Sequence, residues 1–413
     1  MRILEGRAAE NYVRKLEQRG QKLDAIEPLV RQIVQSVKRG GDRALRQYAE
    51  KWDGLRPSDS LRVSEREMQS ALKASSRELR SALEMAAGNI RKFCQWQKPA
   101  TWERNRRGRK LGQLVRPLSS VGCYVPGGRY PLLSTLLMTV VPAQVAEVQE
   151  IRIVSPRPAP AVLAAAAFLG VHEFYRVGGA QAVAALAYGT SSIPRVNKIV
   201  GPGNLFVTTA KKIVAFDCAI DFLAGPTEGL ILCDHGEPSF IASDLVAQAE
   251  HDPDALVLLI TQSRKLAASV SQAAATLAQG NVVAQQSLRK HGVALLATSS
   301  RQATDWANRI APEHLTTSRD RLAGITSAGS IFVGDFSAQA AGDYGSGPNH
   351  VLPTGGAARF RGGLSVLDFV KVMTVQEISR TGLKKMAPAL LTLAKAEGLG
   401  AHSRSIELRC GHA

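Results

Sequence analysis

The stretch "EIRIVSPRPAPAVLAAAAFLGVHEFYRVGGAQAVAALAYGT", Glu150 to Thr190, decides the fold. A short apolar run, EIRIVS, gives way to an Ala-rich helix over 160–169, then to a second short run, EFYRV, and a second helix over 179–188. Strands separated by helices in this way lie parallel to one another, so the pattern predicts a wound α/β sheet. It extends in both directions. VGCYV and a helix near 132–141 precede it, and NKIV with a helix over 204–214 follows. After DFLAGPTEG the alternation resumes with LILCD, the helix carrying Gln248, ALVLLIT, a helix over 263–278, GVALLAT, a helix over 301–310 and GSIFVG. Two wound modules are therefore expected, joined near Ala224 to Glu228.

The flanks read differently. From Ile26 to Lys98 apolar residues recur at helical spacing, with a break at the Gly pair 40–41, and Asp24 with Glu27 resembles a capping box. Ser residues ahead of Glu78 mark a second helix start in Ser75 to Cys94. Asp335 to Gly363 is rich in Gly, Ser, Pro and Asn and too long for a simple turn, which marks it as a functional loop or a disordered one. A helical tail is expected from about Val375 to Cys410.

Composition narrows the class. The 413 residues exceed one ordinary core, and 45% apolar with 21% charged residues is the balance of a soluble globular protein. The N-terminus is charged throughout and resembles no signal peptide, and the longest apolar runs fall short of a bilayer span of about 20 residues. A cytoplasmic protein is the expectation. Five scattered cysteines without a C-x-x-C pair argue against both a disulfide framework and a thiolate zinc cluster, leaving nitrogen and oxygen to bind any metal. The formal charge of +17 raises nucleic-acid binding as a different class of function. Against it stand an aromatic content of only 5% and the absence of a known binding motif; the one dense basic run, Glu103 to Lys110, reads as a solvated hairpin.

Three Gly-rich loops each follow a strand: GCYVPGGRYP (Gly122 to Pro131), the VGGAQA stretch within Arg176 to Thr190, and VGPGN. The last lacks the third glycine of the dinucleotide fingerprint, since Phe206 stands in its place. Each loop alone reads as a tight turn. Together, at the C-terminal edge of one parallel sheet, they favour a ligand site.

Polar groups gather in four places. SDLVAQAEHDPDA sets Gln248 and His251 three apart on one helical face, APEHLTT sets Glu313 beside His314, GDYGSGPNHVLPT carries Asp343 and His350, and AKAEGLGAHSRS carries Glu397 and His402. A carboxylate next to an imidazole can move protons near neutral pH, although a plain polar turn fits APEHLTT equally well. As a set the histidines and carboxylates offer the nitrogen and oxygen donors of a zinc site with open positions, whereas spacing alone does not nominate the Gln248 amide, an uncommon zinc ligand. His172, His235, His291 and His412 have bland surroundings.

The motifs YVPGG, VGGAQA, VGPGN, DFLAGPTE, SDLVAQAEHDPDA, APEHL, GDYGSGPNHVLPT, DFVKVMTVQEIS and EGLGAH occur here in an order that resembles the histidinol dehydrogenase family, along nearly the whole chain. The resemblance implies oxidation of L-histidinol through L-histidinal to L-histidine with two NAD reduced in succession, the final step of histidine biosynthesis. It implies one zinc per subunit held by Gln248, His251, Asp343 and His402, a base in His314, and Glu313 as the group that activates water. It also implies substrate contacts from Thr227, Glu397, His350 and the metal ligands, and NAD contacts from Tyr124, Gln181 and Asn204. Thr227 stands where many members carry Ser, which keeps the hydroxyl, and the segment between Glu228 and Gln248 is slightly short.

The fold class expected with it is two incomplete Rossmann-like α/β domains in an intertwined homodimer whose tails are exchanged. Residues 1–25 form an N-terminal helical extension in this division; 26–120 with 227–365 form the domain bearing the catalytic and zinc residues, 121–226 the NAD domain, and 366–413 the tail. No nucleic acid or membrane partner is expected. Two rivals within enzymology are a cysteine nucleophile, Cys123 or Cys218, forming a thiohemiacetal, and a related dehydrogenase acting on another polar alcohol such as a sulfonated propanediol.

Overall fold

The computed structural model describes residues 1–20, 23–127 and 131–411; Gly128 to Tyr130 of the first Gly-rich loop, and His412, lie outside the described residues. The stretch Glu150 to Thr190 forms strand Glu150–Val154, helix Pro160–Phe168, strand Glu173–Tyr175 and helix Gly179–Tyr188, as its pattern predicts. These belong to a parallel sheet ordered Glu173–Tyr175, Glu150–Val154, Ser120–Tyr124, Lys198–Val200, Ala219–Ile220. Numbered by sequence within the sheet, the order is 3-2-1-4-5, with the switch point after Tyr124 and Val200.

A second sheet repeats that order. Val293–Leu296, Leu256–Thr261, Glu228–Leu232, His314–Thr317 and Ser330–Val333 again run 3-2-1-4-5 in parallel. Helices cover both faces of its centre, so all six residues of Leu256–Thr261 are buried and the first five read as an unbroken apolar run. One strand was not expected. Arg2–Glu5, placed in a helical extension by the sequence reading, pairs in parallel with Val293–Leu296 at the edge. Its Ile3 and Leu4 pack into clusters on opposite faces, a period-two signal too short to read in four residues.

The helical segment packs on the module of the first sheet. In helix Glu27–Trp52, Val30, Ile33, Val34 and Val37 share a core with Val154, Val183 and Ile199 of the first sheet's module. Met68, Leu83 and Ile90, from helices Glu65–Ala74 and Arg77–Gln97, do the same with Val121, Leu136 and Ile153. Residues 27–97 thus pack on the module expected to hold the cofactor, lying against its crossover helices Leu133–Val145, Pro160–Phe168 and Gly179–Tyr188, which are buried nearly all round as a result. Periodicity identified these apolar faces; it carries no information about which sheet receives them. The break at the Gly pair is a kink at Gly41. The capping box is absent: the N-cap is Ile26, and Glu27 pairs with Lys212 at 2.8 Å instead. Ser76 does cap its helix, accepting from the Leu79 N–H at 3.1 Å.

The basic run turns between strands Trp102–Arg106 and Arg109–Pro117, with Lys110 set between Glu103 at 3.0 Å and Glu377 at 3.7 Å. Glu377 belongs to strand Val370–Ile378, which completes a three-stranded antiparallel sheet where the start of the helical tail was expected. β-branched Val370, Val372, Thr374, Val375 and Ile378 favour an extended chain, and Arg109–Pro117 supplies a partner along its whole length. Helices Arg380–Ala396 and Gly400–Cys410 form the rest of the tail. Helix Val282–His291, capped by Asn281, was also not expected. Among the described residues no helix is long and apolar enough to cross a membrane.

Candidate active site

The chain leaves helix Ser300–Ile310 through Ala311, which adopts a left-handed conformation, and Pro312 directs it into strand His314–Thr317. Glu313 and His314 therefore sit at the start of a strand, beside Glu228 and Gly229 at the start of its neighbour. Both side chains are buried and both line a cavity of about 820 Å³. Glu313 Oε2 accepts from the Glu228 N–H at 2.9 Å. The His314 ring stacks on Phe332, its Nδ1 lies 3.4 Å from the Glu228 carbonyl oxygen and 3.6 Å from Glu313 Oε2, and its Nε2 lies 3.6 Å from Asp343 Oδ1. The two carboxylate contacts are too long for hydrogen bonds but close enough for charge to act. Burial opposes the charged imidazole, yet Glu313 and Asp343 outweigh it and push the His314 pKa up to about 10. A cation sharing Asp343 would withdraw part of that pull. Burial raises the Glu313 pKa, against the nearby imidazole.

Gln248 reaches the same cavity from the last turn of helix Pro238–Ala249, and His251 from just beyond its end. The Gln248 side chain passes close over Gly229, where an added Cβ would stand 2.9 Å from Gln248 Cγ. Its amide is buried, and neither its oxygen nor its nitrogen has a hydrogen-bond partner among the described residues. Such a group calls for a ligand, since an unmet buried amide is costly. Asp343, on the short helix Gln339–Tyr344, faces the same space. Its carbonyl accepts from His350 Nδ1 at 2.7 Å, while His350 Nε2 lies 3.5 Å from Thr135 Oγ1. Burial holds the His350 pKa below its ordinary value. Thr227 also lines the cavity.

An amide oxygen, an imidazole and a carboxylate on one cavity wall form a donor set that fits zinc short of its full coordination. No group of three His, Cys, Asp or Glu side chains placed to hold a metal occurs among the described residues, and one of the three donors on this wall is an amide. The two remaining expected residues are not brought in. Glu397 and His402 are exposed on the tail helices and do not line the cavity.

The three Gly-rich loops converge as expected, around a second cavity of about 360 Å³ lined by Tyr124, Gln181 and Asn204. Tyr124 Oη accepts from the Gly179 N–H at 2.9 Å. Asn204 caps helix Leu205–Val214, its Oδ1 accepting from the Phe206 and Val207 N–H groups. Phe206, the residue that breaks the glycine fingerprint, lines the cavity. Gln181 Nε2 donates to Asp53 at 3.1 Å, while its buried Oε1 has no partner among the described residues. Asp53 also accepts from the Gly178 N–H at 3.0 Å, and burial raises its pKa. Sequence reading missed Asp53, which follows the end of a helix and has no polar neighbour pattern to mark it.

The cavities adjoin. Pro126 and Gly203 line the catalytic one, and their chain neighbours Gly127 and Asn204 line the other. The C-terminal ends of one sheet thus meet the N-terminal ends of the other, so one elongated ligand can reach both. The cysteines stand apart. Cys123 lies in the core, where burial pushes its thiol up to about 12, and Cys218 is pushed up to about 11. Neither lines the catalytic cavity, which leaves the thiohemiacetal route without a nucleophile in place.

The family model described as histidinol dehydrogenase matches residues 16–410. The chain is 47% identical to a histidinol dehydrogenase of Methanothermobacter thermautotrophicus over 402 residues, covering 94% of this chain and 93% of the relative. It is 44% identical to one from Geobacter metallireducens, covering 93% and 92%. Among solved structures, histidinol dehydrogenase from Elizabethkingia anophelis superimposes with a TM-score of 0.94 at 35% identity, covering 99% of this chain and 98% of that one.

Proposed function

The chain belongs to the histidinol dehydrogenase family and is an NAD-dependent oxidoreductase of that kind, and from this premise we propose that it converts L-histidinol through L-histidinal to L-histidine with two NAD reduced, closing histidine biosynthesis. The observation that carries the reading is the buried Glu313–His314 pair facing the unpartnered Gln248 amide across one cavity, with a second cavity adjoining it.

His314 is the group that takes the alcohol proton, and Glu313, held by the Glu228 N–H, polarises the water that adds to the aldehyde. His314 then removes a proton from the hydrate for the second oxidation. Thr227 and His350 contact the substrate from the cavity wall. Tyr124, Gln181 and Asn204, which line the second cavity, would hold NAD, and the bound NAD would supply the hydride acceptor. Gln248, His251 and Asp343 would hold zinc, which would supply an anchor orienting the substrate. Keeping the aldehyde in a buried site between the two oxidations prevents its loss to water.

Glu397 and His402 complete the site of a second copy of the chain in this reading. Their exposure supports it, as does that of Leu393, Leu399 and Leu408 on the same tail. Mixing His402→Ala with His251→Ala chains under subunit exchange tests it: activity returns only if sites are shared.

The deciding experiment incubates the purified protein with L-histidinol, NAD and zinc and counts NADH per histidine. Two per histidine is expected. No histidinol-dependent NADH, or one equivalent with free aldehyde accumulating, removes the proposal.

A further inference from the structure

A buried ion pair holds the cofactor-side loop and takes no part in the chemistry above. Lys211 and Asp221 pair with side chains only 2% and 0% exposed. Asp221 Oδ2 accepts from the Gly201 N–H at 2.7 Å, and Lys211 Nζ donates to the Gly201 carbonyl at 3.0 Å. Both polar groups of a single backbone residue are thus fixed by two opposite charges. That residue has φ of +112°, and a Cβ on it would stand 2.2 Å from the Tyr124 carbonyl oxygen. Only glycine fits there, because the loop crosses directly over the strand end from which Tyr124 projects. The residues that follow, Pro202 and Gly203, line the catalytic cavity, and Asn204 lines the cofactor cavity.

Stability does not explain the pair. Withdrawing two charges from water costs several kcal/mol per ion, and apolar replacements of buried pairs are often neutral or stabilising. Lys211 shares its helix with buried Val207, Ala210 and Val214, so an apolar side chain would suit the packing. What an apolar residue cannot do is bind the Gly201 carbonyl. The arrangement is braced further out: Arg361 stacks on Phe222 with its guanidinium 4.2 Å from the ring centroid, donates to the Asp221 carbonyl, and approaches Asp368 at 3.7 Å. Asp368 in turn pairs with Lys198 at 2.9 Å, at the start of the strand that leads into the loop.

We propose that Lys211 and Asp221 are positioning residues for the dinucleotide: together they set the Gly201 backbone so that the Pro202–Asn204 turn stands where NAD passes from one cavity to the other. This rests on reading the cavity of Tyr124, Gln181 and Asn204 as the NAD site.

Lys211→Met alone strands a buried carboxylate, so the informative variant is Lys211→Met with Asp221→Asn, which removes both charges and keeps an acceptor for the Gly201 N–H. NAD binding is measured by equilibrium dialysis, and KM separately for NAD and for histidinol. The double variant should fold, bind NAD about tenfold more weakly, as for loss of one well-aligned hydrogen bond and the order it imposes, and keep its KM for histidinol. Gln181→Ala serves as reference. If Gln181→Ala weakens NAD binding and the double variant does not, the positioning role is overturned. If neither does, the NAD reading of the cavity falls first, and the inference with it. A double variant that unfolds, or that loses NAD and histidinol binding in equal measure, makes the pair a stability element and also overturns the role.

Discussion

Arg19 and Glu228, 209 positions apart, form a two-point ion pair, with Arg19 Nε 2.8 Å from Glu228 Oε1 and Arg19 Nη2 2.6 Å from Oε2. Arg19 also donates to the carbonyls of Leu16 and Ile310 at 2.7 Å each, and Glu228 Oε1 accepts from the Gly355 N–H at 2.9 Å. The pair therefore ties the N-terminal segment to the strand start whose backbone holds Glu313. Arg19→Met should destabilise the protein by about 3–5 kcal/mol, the range for leaving one partner of a buried pair uncompensated. Adding Glu228→Gln should recover most of it. Urea denaturation of the single and double variants checks both; equal losses in the two would show that the charge is not the cause.

His314→Ala should lower kcat by about 10²–10⁴, the contribution typical of a positioned acid–base group, while zinc content by metal analysis stays that of the parent. The ring reaches Asp343 only at 3.6 Å and does not hold the remaining donors. Loss of zinc together with activity would make His314 a structural support of the metal site.

Gly229→Ala tests the metal through packing rather than through a ligand. Its Cβ would stand 2.9 Å from Gln248 Cγ and 3.2 Å from Gln248 Cβ, so the amide must shift. Zinc affinity, read by competition with a chelator, should fall by roughly 10–100-fold, as for other changes that disturb ligand orientation. Removing zinc from the parent should abolish turnover, and adding it back should restore it.

Cys123→Ala and Cys218→Ala, together, should leave kcat within about twofold, since neither thiol lines the catalytic cavity. With thiols pushed up to about 12 and about 11, both should resist a thiol reagent at pH 8 until the protein unfolds. Mass spectrometry of labelled peptides gives the answer.

Asp244, one turn ahead of Gln248, carries a pH signature. Burial pushes its pKa up to about 6, against the Gln339 N–H and with help from the Asp343 charge. The group is protonated in both states below its unfolded value of about 3.9, so its stabilising contribution is complete there. It is lost as pH rises through about 6, because the folded state must then bury a charge. Asp244→Asn, compared with the parent under a metal chelator, should gain stability relative to it between about pH 4 and pH 6 and hold that gain at pH 7. A difference in melting temperature that does not change with pH would contradict the shift.

The wound pattern was legible because a parallel strand covered on both faces leaves a run of apolar residues, as in Leu256–Thr261, and its crossover leaves a helix. His251, Glu313, His314 and Asp343 were legible as chemistry-bearing types in unusual settings, with the family likeness implying their roles; Gln248 came from that likeness alone, since an amide oxygen is an uncommon zinc ligand. Arg2–Glu5 was not, being four residues whose only signal is the partner strand Val293–Leu296. Val370–Ile378 was misread for a related reason: its extended form depends on Arg109–Pro117, which lies far away in the chain.

From the sequence alone came the two parallel sheets, the three converging loops and the candidate side chains, because each is written in local spacing and residue type. Tertiary structure alone decided that helices 27–97 pack on the crossover helices of the first sheet, that His314 opens a strand opposite the strand ends at Tyr124 and Val200, and that Arg19 meets Glu228 while Lys211 meets the Gly201 carbonyl. Contacts between distant segments depend on which apolar faces meet and which buried charges find partners, and no window of neighbouring residues records that.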